Sequence, residues 1–173
     1  IGGDADSSAL KDAVEYAYSS GVVLIAAAGN DGSSVIYPAA YDSYCLAVAA
    51  TDYNDAHASW SNSGPQIDVA APGERILGCV PTWYPEQIWG DFDVDPYAYG
   101  YGTSSSVPFV SGLAALIKSL KPNLSVRDIM NIIRYSADDV NQDLFPGVDD
   151  NIGYGRINIE NALRPIRITK TGK

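Results

Sequence analysis

The feature that most constrains the fold is an uninterrupted apolar run, residues 22–28, that follows a segment with helical periodicity. In residues 6–20 the side chains of Leu10, Val14 and Tyr18 share one side, which predicts an amphipathic helix. A short run that is apolar throughout is typical of a strand buried on both faces of a parallel sheet. Helix followed by buried strand predicts a doubly wound α/β fold, in which ligands bind beyond the carboxyl ends of the strands.

A polar side chain stands where that fold predicts a ligand site. Asn30 follows the apolar run directly. Its amide group can donate a hydrogen bond to an oxygen that develops negative charge, and the alternative is a turn-forming role.

A second helix is predicted from residue 103 or 104 onward. Val107, Val110 and Ile117 recur at helical spacing. Ser104 then lies among the unpaired N–H groups at the positive end of the helix dipole. That environment stabilises the negative charge of a serine nucleophile and of its tetrahedral intermediate. An N-cap role for Thr103 or Ser104 is the alternative, and these residues alone leave it open.

Two stretches carry a family resemblance. The run G-T-S-S-S-V-P-F-V-S-G at residues 102–112 resembles the nucleophile motif of subtilisin-like serine proteases. The run V-V-L-I-A-A-A-G-N at residues 22–30 is similar to the A-A-G-N strand end of that family, where the asparagine forms part of the oxyanion hole. The resemblance implies a serine endopeptidase that forms an acyl-enzyme on Ser104, with Asn30 as an oxyanion donor.

The first motif departs from the family pattern at Ser105, Ser106 and Phe109, where Met, Ala and His are usual. None of these departures removes a reacting atom. The resemblance covers residues 1–163 and implies a doubly wound, mostly parallel sheet with helices on both faces, of which the chain holds only the carboxyl-terminal part. Residues 164–173 then form a basic tail.

The resemblance also implies a surface that binds peptide or protein substrates. Residues 1–3 are similar to the end of the family's S-x-G-G strand, which lines the pocket for the side chain before the cleaved bond. A substrate held as an added strand would contact the backbone of residues 2–3 and of residues 27–29. Ile36 stands where a small residue is often found and predicts a pocket with a narrowed base. The implied substrate-binding residues are Gly2, Gly3, Ala27, Ala28, Gly29 and Ile36.

A weak cation site is implied as well. The segment D-V-A-A-P-G at residues 68–73 resembles one whose aspartate binds a cation in some relatives. The ligands would be Asp68 with the backbone carbonyls of Ala39 and Tyr41, holding calcium or another weakly bound cation. One carboxylate makes a poor calcium site, so we expect it to be unoccupied and no cofactor to be required.

The base that activates the serine is not found in the sequence. In the family an aspartate and a histidine precede the S-x-G-G strand, in D-[ST]-G and H-G-T segments that this sequence lacks. The sole histidine, His57, aligns with a non-catalytic turn, so we expect a solvated side chain. We therefore expect an amino-terminal part to supply both groups, and the chain alone to be inactive.

Two other functions are considered. A non-catalytic relative, serving as a binding or regulatory module, is favoured by Ser105, Ser106 and Phe109 and disfavoured by the retention of Ser104 and Asn30. An esterase nucleophile elbow needs G-x-S-x-G, whereas this chain has G-T-S-S-S.

Composition excludes some partners. The formal net charge of −10 argues against nucleic acid and anionic membranes, and the longest apolar run is too short to cross a bilayer. Part of a sheet leaves an unpaired strand edge, so we expect either the missing part of the domain or self-association to cover it. The family is mostly secreted, which implies an extracellular setting.

Cys45 and Cys79 both lie in apolar, strand-like contexts that predict buried free thiols, and a single disulfide is the alternative.

The region of residues 74–101 is longer than is usual in the family and rich in aromatic residues. We interpret it as a surface loop that walls the substrate groove. Its D-x-D-x-D run at residues 91–95 is similar to the start of a calcium loop, but Pro96 occupies the position of the required glycine. Further on, Ser125 and Asp128 predict a capping box that starts a third helix.

Overall fold

The computed structural model describes residues 2–79 and 97–164 of the 173-residue chain. The elements alternate as the sequence predicted, with an additional pair of strands before the long helix. In chain order they are α1 (Ser8–Ser19), β1 (Leu24–Ala27), β2 (Cys45–Thr51), β3 (Ile67–Pro72), β4 (Ile76–Cys79), β5 (Tyr97–Gly100), α2 (Thr103–Leu120), α3 (Val126–Tyr135) and α4 (Ile159–Leu163).

The main sheet contains β1, β2 and β3 in that order, and both pairs of strands are parallel. All seven residues of β2 are buried, whereas the four residues of β1 are half-buried. The sequence predicted a strand buried on both faces at residues 22–28. That prediction is correct in type and wrong in burial, because β1 lies at the edge of the sheet that the described residues form.

Successive side chains of β2 point to opposite faces of the sheet, and helices pack against both faces. Leu46 and Val48 pack with α2 and α3 in the largest core cluster. Cys45 points to the other face, where it packs against Val14 of α1. The predicted doubly wound architecture is therefore confirmed for the described part of the chain.

A hairpin replaces part of the predicted surface loop. Strands β4 and β5 pair antiparallel, from Ile76 opposite Gly100 to Cys79 opposite Tyr97. The guanidinium of Arg75 lies 4.8 Å from the centre of the Tyr99 ring, which fixes the base of the hairpin. The central part of the region, with the acidic run at residues 91–95, lies outside the described residues.

The segment after α3 runs beside β3. The Tyr154 N–H donates to the Asp68 carbonyl, and the Ile157 N–H donates to the Ala70 carbonyl. Gly153 has a φ of +62°, and a Cβ there would lie 2.3 Å from the Asp68 carbonyl oxygen. Only glycine permits this close approach of two backbones.

The capping box of α3 is also present as predicted.

The two cysteines differ in exposure. Both are free thiols, but Cys45 is buried in β2 and Cys79 is exposed at the end of β4. The predicted burial of Cys79 is wrong because its strand belongs to the hairpin and not to the buried sheet.

Candidate active site

Ser104 is the second residue of α2, and its side chain is exposed. Gly102 is the N-cap of α2, with a φ of +134°. Because it is a glycine, no side chain caps the helix. The N–H groups of the first turn have no acceptor within the helix. The Ser104 N–H has no hydrogen-bond partner among the described residues, so this helix end presents a hydroxyl and an N–H of the same residue.

Asn30 is brought to the same helix end by Thr103. The Thr103 N–H donates to Asn30 Oδ1 at 2.8 Å, and the Thr103 hydroxyl donates to the same oxygen at 2.9 Å. The Thr103 hydroxyl also accepts a hydrogen bond from the Gly29 N–H at 3.2 Å. A backbone N–H can only donate, so the Asn30 atom that contacts the Thr103 N–H is the amide oxygen and not the amide nitrogen.

This arrangement leaves the donor end of Asn30 free. Its Nδ2 has no acceptor among the described residues, and the residue is exposed. Asn30 and Ser104 are thus joined through one intervening residue, Thr103. Among the described residues, Asn30 Nδ2 and the Ser104 N–H are two donors near one helix end without an acceptor.

Sequence reasoning missed the role of Thr103, although it lies inside the quoted motif. It also missed Asn62, a buried side chain whose Oδ1 accepts from the N–H groups of Asp31 and Ser33 at 2.9 and 3.0 Å. Asn62 Nδ2 donates to the Ser34 carbonyl. The side chain therefore fixes the loop that follows Asn30. Its only signal in the sequence is its place in the A-S-W-S-N-S-G run at residues 58–64.

The predicted substrate-binding residues form a second group on the β1 side of the site. Gly3 pairs with Tyr37 through two backbone hydrogen bonds of 3.0 and 2.9 Å. A Cβ on Gly2 would lie 2.6 Å from Ile36 Cδ1, so the half-buried Ile36 fills the space beside that glycine. Gly2, Gly3 and Ile36 are therefore adjacent, as the predicted pocket requires. Ile1 lies outside the described residues.

Ala28 is held within the fold. Its side chain is fully buried, its N–H donates to the Val48 carbonyl, and its carbonyl accepts from the Ile36 N–H. A substrate contact at this residue stays a prediction, and only the carbonyl oxygen has a lone pair left for it. Gly29 is also buried, with a φ of +115°, whereas Ala27 ends β1 and is half-buried.

An apolar cavity of about 440 Å³ opens beside Ser104 on the hairpin side. Its walls come from the hairpin and from the first two turns of α2. The residues around Gly2 and Ile36 do not contribute to it.

The residues of the implied cation site do not fit a cation. Asp68 Oδ1 accepts from Arg134 Nε at 2.6 Å, and Oδ2 accepts from the Ala47 N–H at 2.7 Å. The Tyr41 carbonyl accepts from the N–H groups of Tyr44 and Cys45. Both carboxylate oxygens thus already bind protein donors. No cluster of three metal-ligating side chains occurs in residues 2–79 and 97–164.

Burial dominates the electrostatics of Asp68. Burial raises its pKa to about 6, although the Arg134 charge and the Ala47 N–H act in the opposite direction. The residue links β2, β3 and α3. We therefore assign Asp68 to the framework of the fold and not to a ligand site.

His57 is half-buried, so the expected solvated side chain is wrong. Burial lowers the pKa of the imidazole, while the Asn62 backbone and the charge of Asp149 act in the opposite direction. Its backbone pairs with Thr51 at the end of β2. None of these contacts of His57 involves Ser104, Asn30 or Thr103.

None of the helices in the described ranges has the length and apolar character needed to span a membrane.

Known proteins resemble this chain in sequence and in fold. A family model described as the Subtilase family matches residues 2–155. Subtilisin DY from Bacillus licheniformis is 38% identical over 169 residues, covering 95% of this chain and 55% of that protein. Thermitase from Thermoactinomyces vulgaris is 36% identical over 164 residues, covering 95% and 52%. The chain thus spans about half the length of these curated relatives.

A further relative is the halolysin-like extracellular serine protease Nep from Natrialba magadii, which is 40% identical over 144 residues. That match covers 83% of this chain and 23% of Nep. Among solved structures, the psychrophilic subtilisin-like protease Apa1 from Pseudoalteromonas sp. AS-11 superposes with a TM-score of 0.78 at 21% identity. The superposition covers 94% of this chain and 68% of Apa1, and it supports the fold. The chain belongs to the subtilase family.

Proposed function

We propose that this chain carries the nucleophile and the oxyanion donors of a serine endopeptidase that acts through an acyl-enzyme on Ser104. The observation that carries the proposal is the double hydrogen bond from Thr103 to Asn30 Oδ1, one residue before an exposed serine at an open helix end. A structural asparagine would use both ends of its amide within the fold. Here Asn30 Nδ2 has no acceptor among the described residues, which supports its proposed role as an oxyanion donor.

The reaction would proceed in two steps. Ser104 Oγ attacks the peptide carbonyl carbon while its proton passes to a base, and the carbonyl oxygen becomes an oxyanion that accepts from Asn30 Nδ2 and the Ser104 N–H. The tetrahedral intermediate then releases the amine, which takes the proton, and leaves the acyl group on Ser104. Water hydrolyses this ester by the same route and restores the hydroxyl.

The base and the carboxylate that orients it would come from outside the described residues. His57 is held among Thr51, Asn62 and Asp149, and the relatives are about twice as long as the matched region. We propose that a part of the protein corresponding to the unmatched half of these relatives supplies both groups. The chain alone would then be inactive or nearly so, since an unactivated serine hydroxyl is a weak nucleophile.

The substrate would be a peptide or protein, held as an added strand along the backbones of Gly2 and Gly3 and of Ala27 and Gly29. Ile36 would narrow the pocket for the side chain before the cleaved bond. An extracellular site of action is part of the proposal, supported by the relative named as an extracellular protease.

Labelling by a fluorophosphonate tests the proposal. The full-length protein should be labelled on Ser104, as located by peptide mass spectrometry, and Ser104→Ala should abolish labelling. Ser119→Ala, an exposed serine on the same helix, is the matched control and should label normally. A folded protein that is not labelled would favour the alternative, a non-catalytic scaffold that binds or regulates other proteins.

A further inference from the structure

The backbone of Asn30 depends on its neighbours for its position. Among the described residues, neither its N–H nor its carbonyl makes a hydrogen bond. Thr103 binds the side chain of Asn30, but a side chain keeps a fixed place only if the backbone that carries it is also fixed. The residues before and after Asn30 therefore have to be held by another part of the fold.

One residue, Asn62, binds both neighbours of Asn30. The Asn62 N–H donates to the Gly29 carbonyl at 3.0 Å, and Asn62 Oδ1 accepts from the Asp31 N–H at 2.9 Å. Its two remaining side-chain hydrogen bonds join the loop that follows and use both ends of the amide. The Asn62 side chain is therefore held in one orientation, and the chain is restrained on either side of Asn30.

The contact between Asn62 and Gly29 is also tight. A Cβ placed on Gly29 would lie 2.2 Å from Asn62 Nδ2, and the φ of Gly29 is +115°. Asn62 is 0% exposed, so its hydrogen bonds are shielded from water. A smaller residue at position 62 would leave a cavity beside Gly29 and would remove the acceptor of the Asp31 N–H.

We propose that Asn62 is a positioning residue for catalysis, which holds the backbone of Asn30 so that its amide reaches the oxyanion. The inference rests on the proposed peptidase function and adds a residue that acts on it from a distance. The Asn62 side chain makes no hydrogen bond to Asn30 or Ser104, so it acts through the backbone alone. Such a restraint affects the rate because an oxyanion donor must lie within about 2.7–3.1 Å of the developing charge.

The test is a double-mutant cycle in the full-length protein, measured with one peptide substrate. Asn62→Ala should lower kcat by about tenfold, which is part of the loss expected when the donor itself is removed. In an Asn30→Ala background the same substitution should lower kcat by less than about twofold, because the group that it displaces is already absent. A residue that only stabilised the fold would show no such dependence on the background.

Ser61→Ala is the matched control. Ser61 is as deeply buried as Asn62, and its Oγ accepts from the Ala50 N–H at 3.0 Å, so its removal also leaves a buried N–H unpaired. Its hydroxyl makes no hydrogen bond to the residues on either side of Asn30, so kcat should stay within about twofold of the wild type. Denaturant titration of both variants separates the loss of stability from the loss of rate.

A second variant decides the question if Asn62→Ala does not fold. Asn62→Ser keeps a hydroxyl in the buried space, but its oxygen is one atom closer to the backbone than the asparagine oxygen that binds the Asp31 N–H. We expect the same dependence on the Asn30 background from this variant.

Two results would overturn the inference and leave the peptidase function intact. One is a folded Asn62 variant with the kcat of the wild type, in a protein that a fluorophosphonate labels on Ser104. The other is an equal loss of kcat in the wild-type and Asn30→Ala backgrounds. A wild-type protein that is neither labelled nor active would instead contradict the proposed function itself, so the two failures are distinguishable.

Discussion

Thr103 shows how one hydroxyl orients a neighbouring side chain. It donates to Asn30 Oδ1 at 2.9 Å while it accepts from the Gly29 N–H at 3.2 Å. The Asn30 amide is therefore held with its oxygen toward the helix before any substrate arrives. Preorganised donors cost no reorganisation during the reaction, which is the main advantage of an enzyme over water.

Replacing Thr103 tests this orientation. Thr103→Val removes the hydroxyl and leaves only the backbone N–H to hold Asn30 Oδ1, so we expect kcat to fall by about tenfold with little change in KM. Thr103→Ser retains the hydroxyl and should retain most of the activity. Steady-state kinetics with one peptide substrate measures both variants, and equal losses in the two would contradict an orienting role of the hydroxyl.

Asn30→Ala should have a larger effect than Thr103→Val, because it removes the donor itself. We expect a loss of about 10²–10³-fold in kcat, the magnitude known for the oxyanion-hole asparagine of a subtilisin. Steady-state kinetics of the full-length variant measures the loss. Retention of full kcat by the Asn30 variant would show that the side chain contacts no oxyanion.

The two thiols offer a separate test of the fold. Burial, aided by the charge of Asp68, raises the pKa of Cys45 to about 11, whereas Cys79 is exposed. Since the thiolate is the reactive form, a disulfide reagent near pH 8 should modify one thiol per native chain and two after unfolding. Cys79→Ser should abolish the native reaction. Fast modification of both thiols in the native protein would contradict the buried position of β2.

At the scale of elements, one ion pair joins α3 to the sheet. Arg134 of α3 binds Asp68 of β3, whose other oxygen accepts from the Ala47 N–H of β2. The side chains are 18% and 5% exposed, so little water compensates for the loss of either partner. Removing one member of a buried pair leaves an uncompensated charge.

Asp68→Ala should therefore lower the free energy of unfolding by about 3–5 kcal/mol. The comparison is Ser125→Ala at the exposed N-cap of α3, which should cost about 1 kcal/mol. Denaturant titration of both variants measures the difference. A loss in Asp68→Ala no larger than that in Ser125→Ala would show that the pair contributes little to stability.

The stability should also depend on pH through Asp68. Its pKa in the fold, about 6, lies above the ordinary value of 3.8. Folding thus favours the protonated form, so the contribution of this residue is full below about pH 4 and declines as the pH rises through about 6. Between pH 4 and 7 the unfolding free energy of the wild type should fall relative to Asp68→Asn, and parallel curves would contradict the raised pKa.

The helices were predictable because local signals determined them. Periodicity set α2, and the capping box of Ser125 and Asp128 set the start of α3. The pairing of β4 with β5 was not predictable, since their short mixed sequences show no clear alternation. The site was predictable only in part. The motifs indicated Ser104 and Asn30, but the hydrogen bonds that join them connect residues 73 positions apart.

At the scale of the whole molecule, β1 leaves one edge of the described sheet without a partner strand. A groove of about 460 Å³ runs there, between Leu24 and Ile25 on β1 and Ala114 and Ala115 on α2. Val22, near the same edge, is 47% exposed. Open edges with apolar surroundings invite pairing with another strand.

The isolated 173-residue chain should therefore self-associate, unless another part of the protein covers this edge. Light scattering should show a size that increases with concentration. Val22→Lys should reduce the increase, since an edge lysine opposes pairing, and Tyr53→Lys, in an exposed turn, should not. A compact monomer at all concentrations would contradict this expectation.

The long separation between Asn30 and Thr103 also has a kinetic consequence. Parallel strands need crossover connections, and a topology rich in such distant contacts lowers the rate at which a chain reaches its native state. The hydrogen bonds between Thr103 and Asn30 form only after the two ends of this crossover have met. In the full-length protein, labelling of Ser104 by a fluorophosphonate should accordingly return at the end of refolding, well after helical circular dichroism has recovered.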